Sequence, residues 1–585
     1  MSKIVGIDLG TTNSAVAYLT AKGPEIIPNA LGESLTPSVV GIDLDGNVIV
    51  GRTARELAVL HPERTAAVFK RKMGLDWKTD VAGKSFTAEE LSSLVLRSLK
   101  EDAEAHFKEP VRRAVITVPA YFNDRQRKAT LNAGRIAGLE VDRILNEPTA
   151  AALAYGFHEA KEEKTLLIFD LGGGTFDVSV VEIFDGVIEV KASSGETFLG
   201  GEDFTRNLTA RILDACGVRF EQAEMMTPKR VSRLLQQCEI AKRKLSRLET
   251  VEVAVPDNNG EIDEKSRKIP VTRVEFANWT DKLLARLDGP LRRALGDARL
   301  TRDQIAEVLL VGGATRMPNV ALKVRDWFGK PPQCRLNPDE VVALGAAVQA
   351  GLHAQHQSVD DIVVTDVAPF TLGIETSKRL GSELREGYFL PVLHRNTAIP
   401  ASRVQTIETV FPNQTEMVVK IFQGEGRKTT ENLRLGEFRV TDIPRGPAGQ
   451  PVDVRFTYDL NGVLEVEATV QQTQRTFNHV VTQYAQGMTK AQIDRAIREM
   501  AALKTHPRDE AINRHLLRRC ERLYKELPQV LREQLGMLLD GFEMSLADQD
   551  PAEVASNRQA LEIFLSQFDP EGRADSEEDA DGDVR

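Results

Sequence analysis

Two short stretches of the chain combine the residue types that a polyphosphate demands. The first is Asp8-Leu9-Gly10-Thr11-Thr12-Asn13, directly after the apolar run Ile4-Val5-Gly6-Ile7. The second is Asp170-Leu171-Gly172-Gly173-Gly174-Thr175-Phe176-Asp177, after Leu167-Ile168-Phe169. In each, an apolar strand ends in an aspartate, turns through glycines with hydroxyls, and returns. Glycines let backbone N–H groups approach phosphate oxygens, threonines add donors, and an aspartate at a strand end suits a hydrated Mg²⁺. One Asp-Leu-Gly alone reads as a plain hairpin turn. Two facing copies would grip a triphosphate from both sides. A third glycine turn closes the run Leu309-Leu310-Val311, where Gly312 and Gly313 would let a base and ribose lie on the backbone and Arg316 could stack on a flat ring. Gly83-Lys84-Ser85 imitates the end of a P-loop, but Lys78 stands where the earlier glycine is required, so the segment reads as a surface loop.

Such turns need rigid elements behind them. Apolar runs at Lys3–Ile7, Ala114–Val118, Thr165–Phe169, Val178–Ile183 and Val308–Val311 read as strands. Helical periods at Ala88–Lys100, Arg127–Ala137, Val231–Leu245 and Phe276–Leu287 alternate with them, which predicts α/β units over residues 1–355. The texture then changes. Val452, Val454, Phe456 and Tyr458 share one parity, as do Leu464, Val466, Ala468 and Val470, so this region reads as a hairpin turning at Asn461-Gly462. From Thr489 the period is helical again, with stripes at Ile493, Ala496, Ile497, Met500 and Leu503, and at Val554, Leu561, Phe564, Leu565 and Phe568. Gly572–Arg585 is acidic and nearly without apolar residues, the composition of a disordered tail. Ser358–Asp366 places the apolar Ile362-Val363-Val364 between carboxylates. It reads either as an ordinary buried strand or as a segment that adds to a sheet edge in one state and leaves it in another.

Composition narrows the class. With 42% hydrophobic and 28% charged residues the 585-residue chain is that of a globular protein. Lys and Arg number 75 against 86 Asp and Glu, a net charge of −11, which speaks against nucleic acid as the main partner. No apolar run reaches the roughly 20 residues of a membrane span, and Asp8 sits inside the first apolar stretch, unlike a secretion signal. Four scattered cysteines (Cys216, Cys238, Cys334, Cys520) form no CxxC pair, which fits a reducing cytoplasm.

Together with Val118-Pro119-Ala120-Tyr121-Phe122-Asn123-Asp124, Asn146-Glu147-Pro148-Thr149-Ala150-Ala151-Ala152, Gly200-Gly201-Glu202-Asp203-Phe204 and Asn337-Pro338-Asp339-Glu340, these motifs resemble the seventy-kilodalton heat-shock (DnaK-like) chaperones. In Phe69-Lys70-Arg71 and Leu91–Lys100 the chain is most similar to the divergent HscC subgroup. The resemblance implies a multidomain α/β + β + α fold: an actin-like two-lobed ATPase over 1–355, a linker over 356–366, a β-sandwich that binds peptide over 367–486, a short helical lid over 487–570 and an acidic tail over 571–585. It implies an ATP-dependent chaperone, a monomer, with ATP or ADP, Mg²⁺ and a candidate K⁺ as cofactors. Its partners would be extended polypeptides and a J-domain co-chaperone, with no nucleic acid or membrane. An actin-like small-molecule kinase or a nucleotide-gated scaffold is the alternative.

Residue by residue, the resemblance gives Asp8 and Asp170 to the hydrated Mg²⁺. It gives Gly10, Thr11, Thr12, Asn13, Gly172, Gly173, Gly174, Thr175, Gly200 and Gly201 to the phosphates. Lys70 would steady the γ-phosphate and attacking water, with Glu147 and Asp177 completing that network; the bland reading of Lys70 is one more surface lysine beside Arg71 and Lys72. The alanines after Glu147 also suit a helix whose role is only structural. Glu239, Lys242, Ser246, Gly312, Gly313, Arg316 and Asp339 match the adenosine pocket. Pro119 and Arg127 match a relay toward the peptide domain, and Arg143 and Asp366 match positions linked to the J-domain and to linker docking. Between Lys70 and Pro119 the chain is shorter than the family pattern, which puts docking of the usual exchange factor in doubt. Thr365 makes the linker less apolar, which predicts weaker docking. The presumed arch loop over the peptide, Thr376–Leu384, is charged where the family has small apolar residues, which predicts a narrower range of clients.

Overall fold

The computed structural model describes residues 3–159, 163–184, 187–356, 359, 363–380, 383–459, 464–481, 516–517, 520, 523–524, 527–548 and 551–568. The first apolar run forms β1 (Ile4–Asp8), which returns as β2 (Asn13–Thr20) and continues into β3 (Gly23–Ile27). Two further strands, β4 (Arg113–Val118) and β5 (Glu140–Asn146), lie parallel to β1 and give the order β5-β4-β1-β2-β3, with Thr36–Pro37 pairing beside β2. The helices α1 (Ala88–Phe107) and α2 (Asp124–Ile136) cover this sheet, Leu91, Val95 and Ala133 packing with Val5, Ile7 and Ile116.

The second turn repeats the plan. The strands β6 (Lys164–Leu171), β7 (Phe176–Phe184) and β8 (Val187–Glu196) are antiparallel in sequence, and β9 (Glu307–Val311) runs parallel to β6. β6 reads as an unbroken apolar run because both its faces are covered. Leu167 and Phe169 face one core with α4 (Gly201–Ala215), α5 (Pro228–Leu245) and α6 (Arg273–Arg286), and Leu166 and Ile168 face the other. That second core contains α3 (Glu147–Glu159) and α7 (Val341–His353), which join the two sheets. The approach is close: a Cβ on Gly345 would lie 1.7 Å from the Ala150 carbonyl oxygen, and one on Gly6 2.2 Å from the Ala347 nitrogen. The alanines after Glu147 therefore do serve packing.

The apolar segment flanked by carboxylates adds to a sheet edge. β10 (Val363–Val367) lies parallel to β8, with Val187 opposite Val363 and Glu189 opposite Thr365, and extends the order to β9-β6-β7-β8-β10. Its far side takes the short β13 (Ala398–Ile399) from the β-rich part that follows. There two four-stranded sheets face each other across Ile374, Ile421, Val454 and Phe456. One has the order β12-β11-β15-β16, from β11 (Leu372–Leu380), β12 (Glu383–Leu393), β15 (Met417–Gln423) and β16 (Leu433–Val440). The other has β14-β17-β18-β19, from β14 (Ala401–Glu408), β17 (Pro451–Tyr458), β18 (Leu464–Val470) and β19 (Arg475–Val481). The hairpin expected from parity is β17–β18, registered Val452 to Val470 and Tyr458 to Leu464, while its turn at Asn461-Gly462 lies outside the described residues. At the end, α8 (Gln529–Asp548) and α9 (Pro551–Phe568) bury Leu535 and Phe542 against Val554, Leu561 and Phe564. The stripe at 493–503 and the acidic stretch 572–585 also fall outside the described residues.

Two expectations need correction. Gly83-Lys84-Ser85 is not a loop: Lys78–Val81 and Lys84–Thr87 pair as a hairpin with Val81 opposite Lys84. Ala82 and Gly83 both have positive φ, 51° and 79°, as a two-residue turn of that hand requires. The charged stretch 376–384 is likewise strand to near its tip, with Lys378 opposite Arg385 and Leu380 opposite Glu383.

Candidate functional site

The ends of β1, β6 and β9 open into one cleft of about 900 Å³. Both hairpin turns reach it, through Asp8, Gly10, Thr11, Thr12 and Asn13 on one side and Asp170, Gly172, Gly173 and Thr175 on the other. Lys70, Glu147, Gly201, Glu239, Lys242, Ser246, Gly312, Gly313, Arg316 and Asp339 complete the lining assigned from sequence. Asp177, Gly174 and Gly200 stand behind that lining. A Cβ on Gly200 would lie 2.6 Å from the Gly173 backbone and one on Gly174 2.6 Å from the Thr11 side chain, so these two glycines let the turns stack. Gly173 has the same reason, since a Cβ there would fall 1.8 Å from Thr12 Oγ1. Gly312 must turn with φ +82° beneath the Leu171 carbonyl.

Lys70 is no surface lysine. It is 4% exposed, and its Nζ lies 2.6 Å from Glu147 Oε1 and 5.8 Å over the Phe122 ring. Around it gather four carboxylates with too little positive charge to balance them. Burial, then Glu147, pushes the Asp8 carboxyl up to about 7, with Lys70 and a hydrogen bond from Thr117 opposing. Burial and Glu147 push Asp177 up to about 8, and burial with Glu147, Asp177 and Asp8 holds Asp170 well above the usual carboxylate range. Such unbalanced charge fits a divalent cation. Among the described residues no three carboxylate, His or Cys side chains converge closely enough to chelate a metal by themselves. A Mg²⁺ here would keep most of its water, as that ion prefers.

Deeper along the cleft, Lys242 Nζ bonds Glu239 Oε2 at 2.6 Å, the Gly201 carbonyl at 2.9 Å and Thr205 Oγ1 at 2.8 Å. Burial alone would raise the Glu239 carboxyl, but Lys242 and Arg243 outweigh it and bring the group down to about 2. At the rim Arg316 donates to Asp339 Oδ2 at 2.7 Å and to Asn337 at 2.6 Å, which leaves its guanidinium plane half exposed.

A hydrogen-bond chain leads from this cleft to β10. Asp366 Oδ2 accepts from Asn146 Nδ2 at 2.9 Å and Thr149 Oγ1 at 3.0 Å, beside Glu147. Asn146 Oδ1 accepts from Arg127, which also donates to the carbonyls of Ala120 and Phe122. The loop so held starts at Pro119, whose carbonyl takes the Phe122 N–H, and gives the Tyr121 N–H to Asp177 Oδ1 at 3.3 Å. Arg143, buried, donates to Gln349 Oε1 at 3.0 Å, with Asp366 and Asp459 as its nearby charges. Two further links tie the first part of the chain to the β-rich part: the Asp124 N–H to Gln423 Oε1 at 3.2 Å, and Arg395 and Asn396 to Asp297.

Sequence reasoning missed several of these. Glu202 takes Thr12 Oγ1 at 3.2 Å, and Arg71 bridges the Gly174 carbonyl to Asp203. Asn146, Thr149 and Tyr121 were in view inside motifs without a role, and acids in the first turn of a glycine-led helix are the available signal for Glu202 and Asp203. No sequence pattern pairs Asp297 with Arg395, which are far apart in the chain.

The Hsp70 protein family model matches residues 4–82 and 77–578, nearly the whole chain. That extent includes the β-rich and helical parts, for which neither a small-molecule kinase nor a filament scaffold has use. The chain therefore belongs to the Hsp70 family, the ATP-dependent chaperones that hydrolyse ATP, bind unfolded polypeptides and work with J-domain co-chaperones.

Proposed function

We propose that residues 1–355 are the ATPase, 367–486 the peptide sandwich and 487–570 the lid, and that β10 docks and leaves as the nucleotide changes. Asp8 and Asp170 would hold a hydrated Mg²⁺, which when bound would supply charge compensation to the phosphates. The turn N–H groups and the hydroxyls of Thr11, Thr12 and Thr175 orient the phosphate oxygens. Lys70, fixed by Glu147, directs its ammonium at the γ-phosphate, and Glu147 with Asp177 orients the water that attacks phosphorus as the bond to the β–γ bridging oxygen breaks. Glu239, Lys242, Ser246 and Arg316 hold the adenosine.

The observation that carries the coupling is the bonded path from Asp366 through Asn146 and Arg127 to the loop that touches Asp177. A carboxylate network rearranged by hydrolysis is thus joined through hydrogen bonds to the group that anchors the linker. Coupling of this kind is typically worth about 1–3 kcal/mol. The HscC likeness, a restricted client range and release of ADP without an exchange factor belong to the same reading.

The test is steady-state ATP turnover with and without an unfolded apolar peptide and a J-domain. Low basal turnover raised by both supports the reading, and turnover indifferent to both would refute it. Asp170→Ala or Thr175→Ala should cripple hydrolysis far more than peptide binding; full turnover in either variant would mean the site is misassigned.

A further inference from the structure

The charged hairpin β11–β12 carries a feature that lies outside the cleft. Tyr388 is 5% exposed, and what covers it is positive charge. Lys428 Nζ stands 3.2 Å from the ring centroid, Lys378 Nζ 5.4 Å and the Arg427 guanidinium 5.7 Å. The backbone fixes them there. Tyr388 and Lys428 form an isolated antiparallel bridge, and the Phe389 N–H donates to the Arg427 carbonyl at 3.1 Å. Lys378 also faces Arg385 directly across the hairpin, a like-charge pair.

Three carboxylates on the same segments are directed elsewhere, while Glu386 lies two residues before Tyr388 on the same strand. Glu375 takes Lys420 at 2.6 Å and Thr429 at 3.0 Å, Glu383 takes Arg385, and Glu425 takes Thr371. Among the described residues Lys378, Arg427 and Lys428 form no ion pair. Three cations are thus held against one ring and against each other, and cation–π contact relieves only part of their repulsion. An incoming anion would relieve the rest.

We propose that this cluster selects clients whose apolar segment is flanked by aspartate or glutamate. The inference rests on the reading of the sandwich as the peptide-binding part, because Lys378 lies in the stretch that the family resemblance sets over the peptide. Carboxylates beside the apolar core of such a client meet Lys378, Arg427 and Lys428 at the hairpin, whereas lysine flanks meet like charge.

Three labelled peptides with one apolar core and glutamate, glutamine or lysine flanks, titrated into the full-length protein and followed by fluorescence anisotropy, test this. The glutamate-flanked peptide should bind ~3–10-fold tighter than the lysine-flanked one near 50 mM salt, with the gap closing near 0.5 M as screening shortens. Combined Lys378→Gln, Arg427→Gln and Lys428→Gln should abolish that gap while the glutamine-flanked peptide still binds, which shows the variant folded. Equal binding of all three peptides, or a preference for lysine flanks, would overturn the proposal and leave the peptide-binding reading intact; no binding of any peptide would remove both. A preference seen only after residues 571–585 are deleted would assign the cations to the chain's own acidic terminus, and so would overturn it too.

Discussion

Replacing Thr365 by valine should make the linker dock more firmly. Thr365 lies opposite Glu189 in the β8–β10 pairing, and its Oγ1 is buried with no hydrogen-bond partner among the described residues. A buried hydroxyl without a partner costs about 1–3 kcal/mol, and it regains water once the linker leaves. Valine keeps the branched shape, removes that penalty and prefers burial. A gain of about 1–2 kcal/mol means a docked population favoured by a factor of ~5–30. The assay is amide hydrogen exchange across Val187–Glu189 and Val363–Val367, read for the amides that the pairing protects. Their exchange should slow in Thr365→Val, while Thr365→Ser, which keeps the hydroxyl and loses a methyl, should exchange at least as fast as the parent. Unchanged or faster exchange in Thr365→Val would refute the reasoning, because the hydroxyl would then have no cost in the docked state.

The opposite sign is expected one residue on. Asp366→Asn loses the charge behind its bonds from Asn146 and Thr149, bonds worth about 1.5–3 kcal/mol each, so the same amides should exchange faster and peptide should stimulate turnover less. At the cleft, Gly200→Ala drives a Cβ into the Gly173 backbone at 2.6 Å, an overlap no rotamer relieves. Overpacking of about 1–3 kcal/mol corresponds to ~5–160-fold weaker ATP binding by calorimetry, whereas Gly296→Ala, where a Cβ meets nothing within 4 Å, should change nothing. Glu239 sets a pH dependence. Its folded-state value of about 2 lies below the ordinary 4.5, so its contribution is present above pH 4.5 and is lost as pH falls toward 2. Thermal unfolding of Glu239→Gln should therefore fall less steeply across that window than the parent's.

Local signals in this sequence were the legible ones. Asp8 and Asp170 announce themselves because a strand, an aspartate and a glycine turn are contiguous, and the β17–β18 hairpin shows in two runs of fixed parity. What stayed hidden depends on partners brought together by topology. Nothing near Tyr388 in the chain indicates that Arg427 and Lys428 will lie on its ring, and Asp297 gives no sign of Arg395. Lys70 sits in a run of three basic residues and looks like surface until Glu147 and Phe122 enclose it. The charged stretch 376–384 misled in another way, since its polar residues suit a loop but the register continues to Leu380 opposite Glu383.

If β10 departs as proposed, β8 becomes the rim of its sheet, with N–H and C=O groups over Val187–Glu189 left open to any extended chain. A chaperone that handles unfolded polypeptides works among such chains, so a vacated rim would invite self-association or capture of a client at the wrong place. Lys191, paired with Glu189 at 3.4 Å and with Glu182 at 3.5 Å, puts alternating charge beside that rim. On the proposed cycle those three charges would disfavour templated pairing while the linker is free, a demand that arises only if a strand of the sheet is itself detachable.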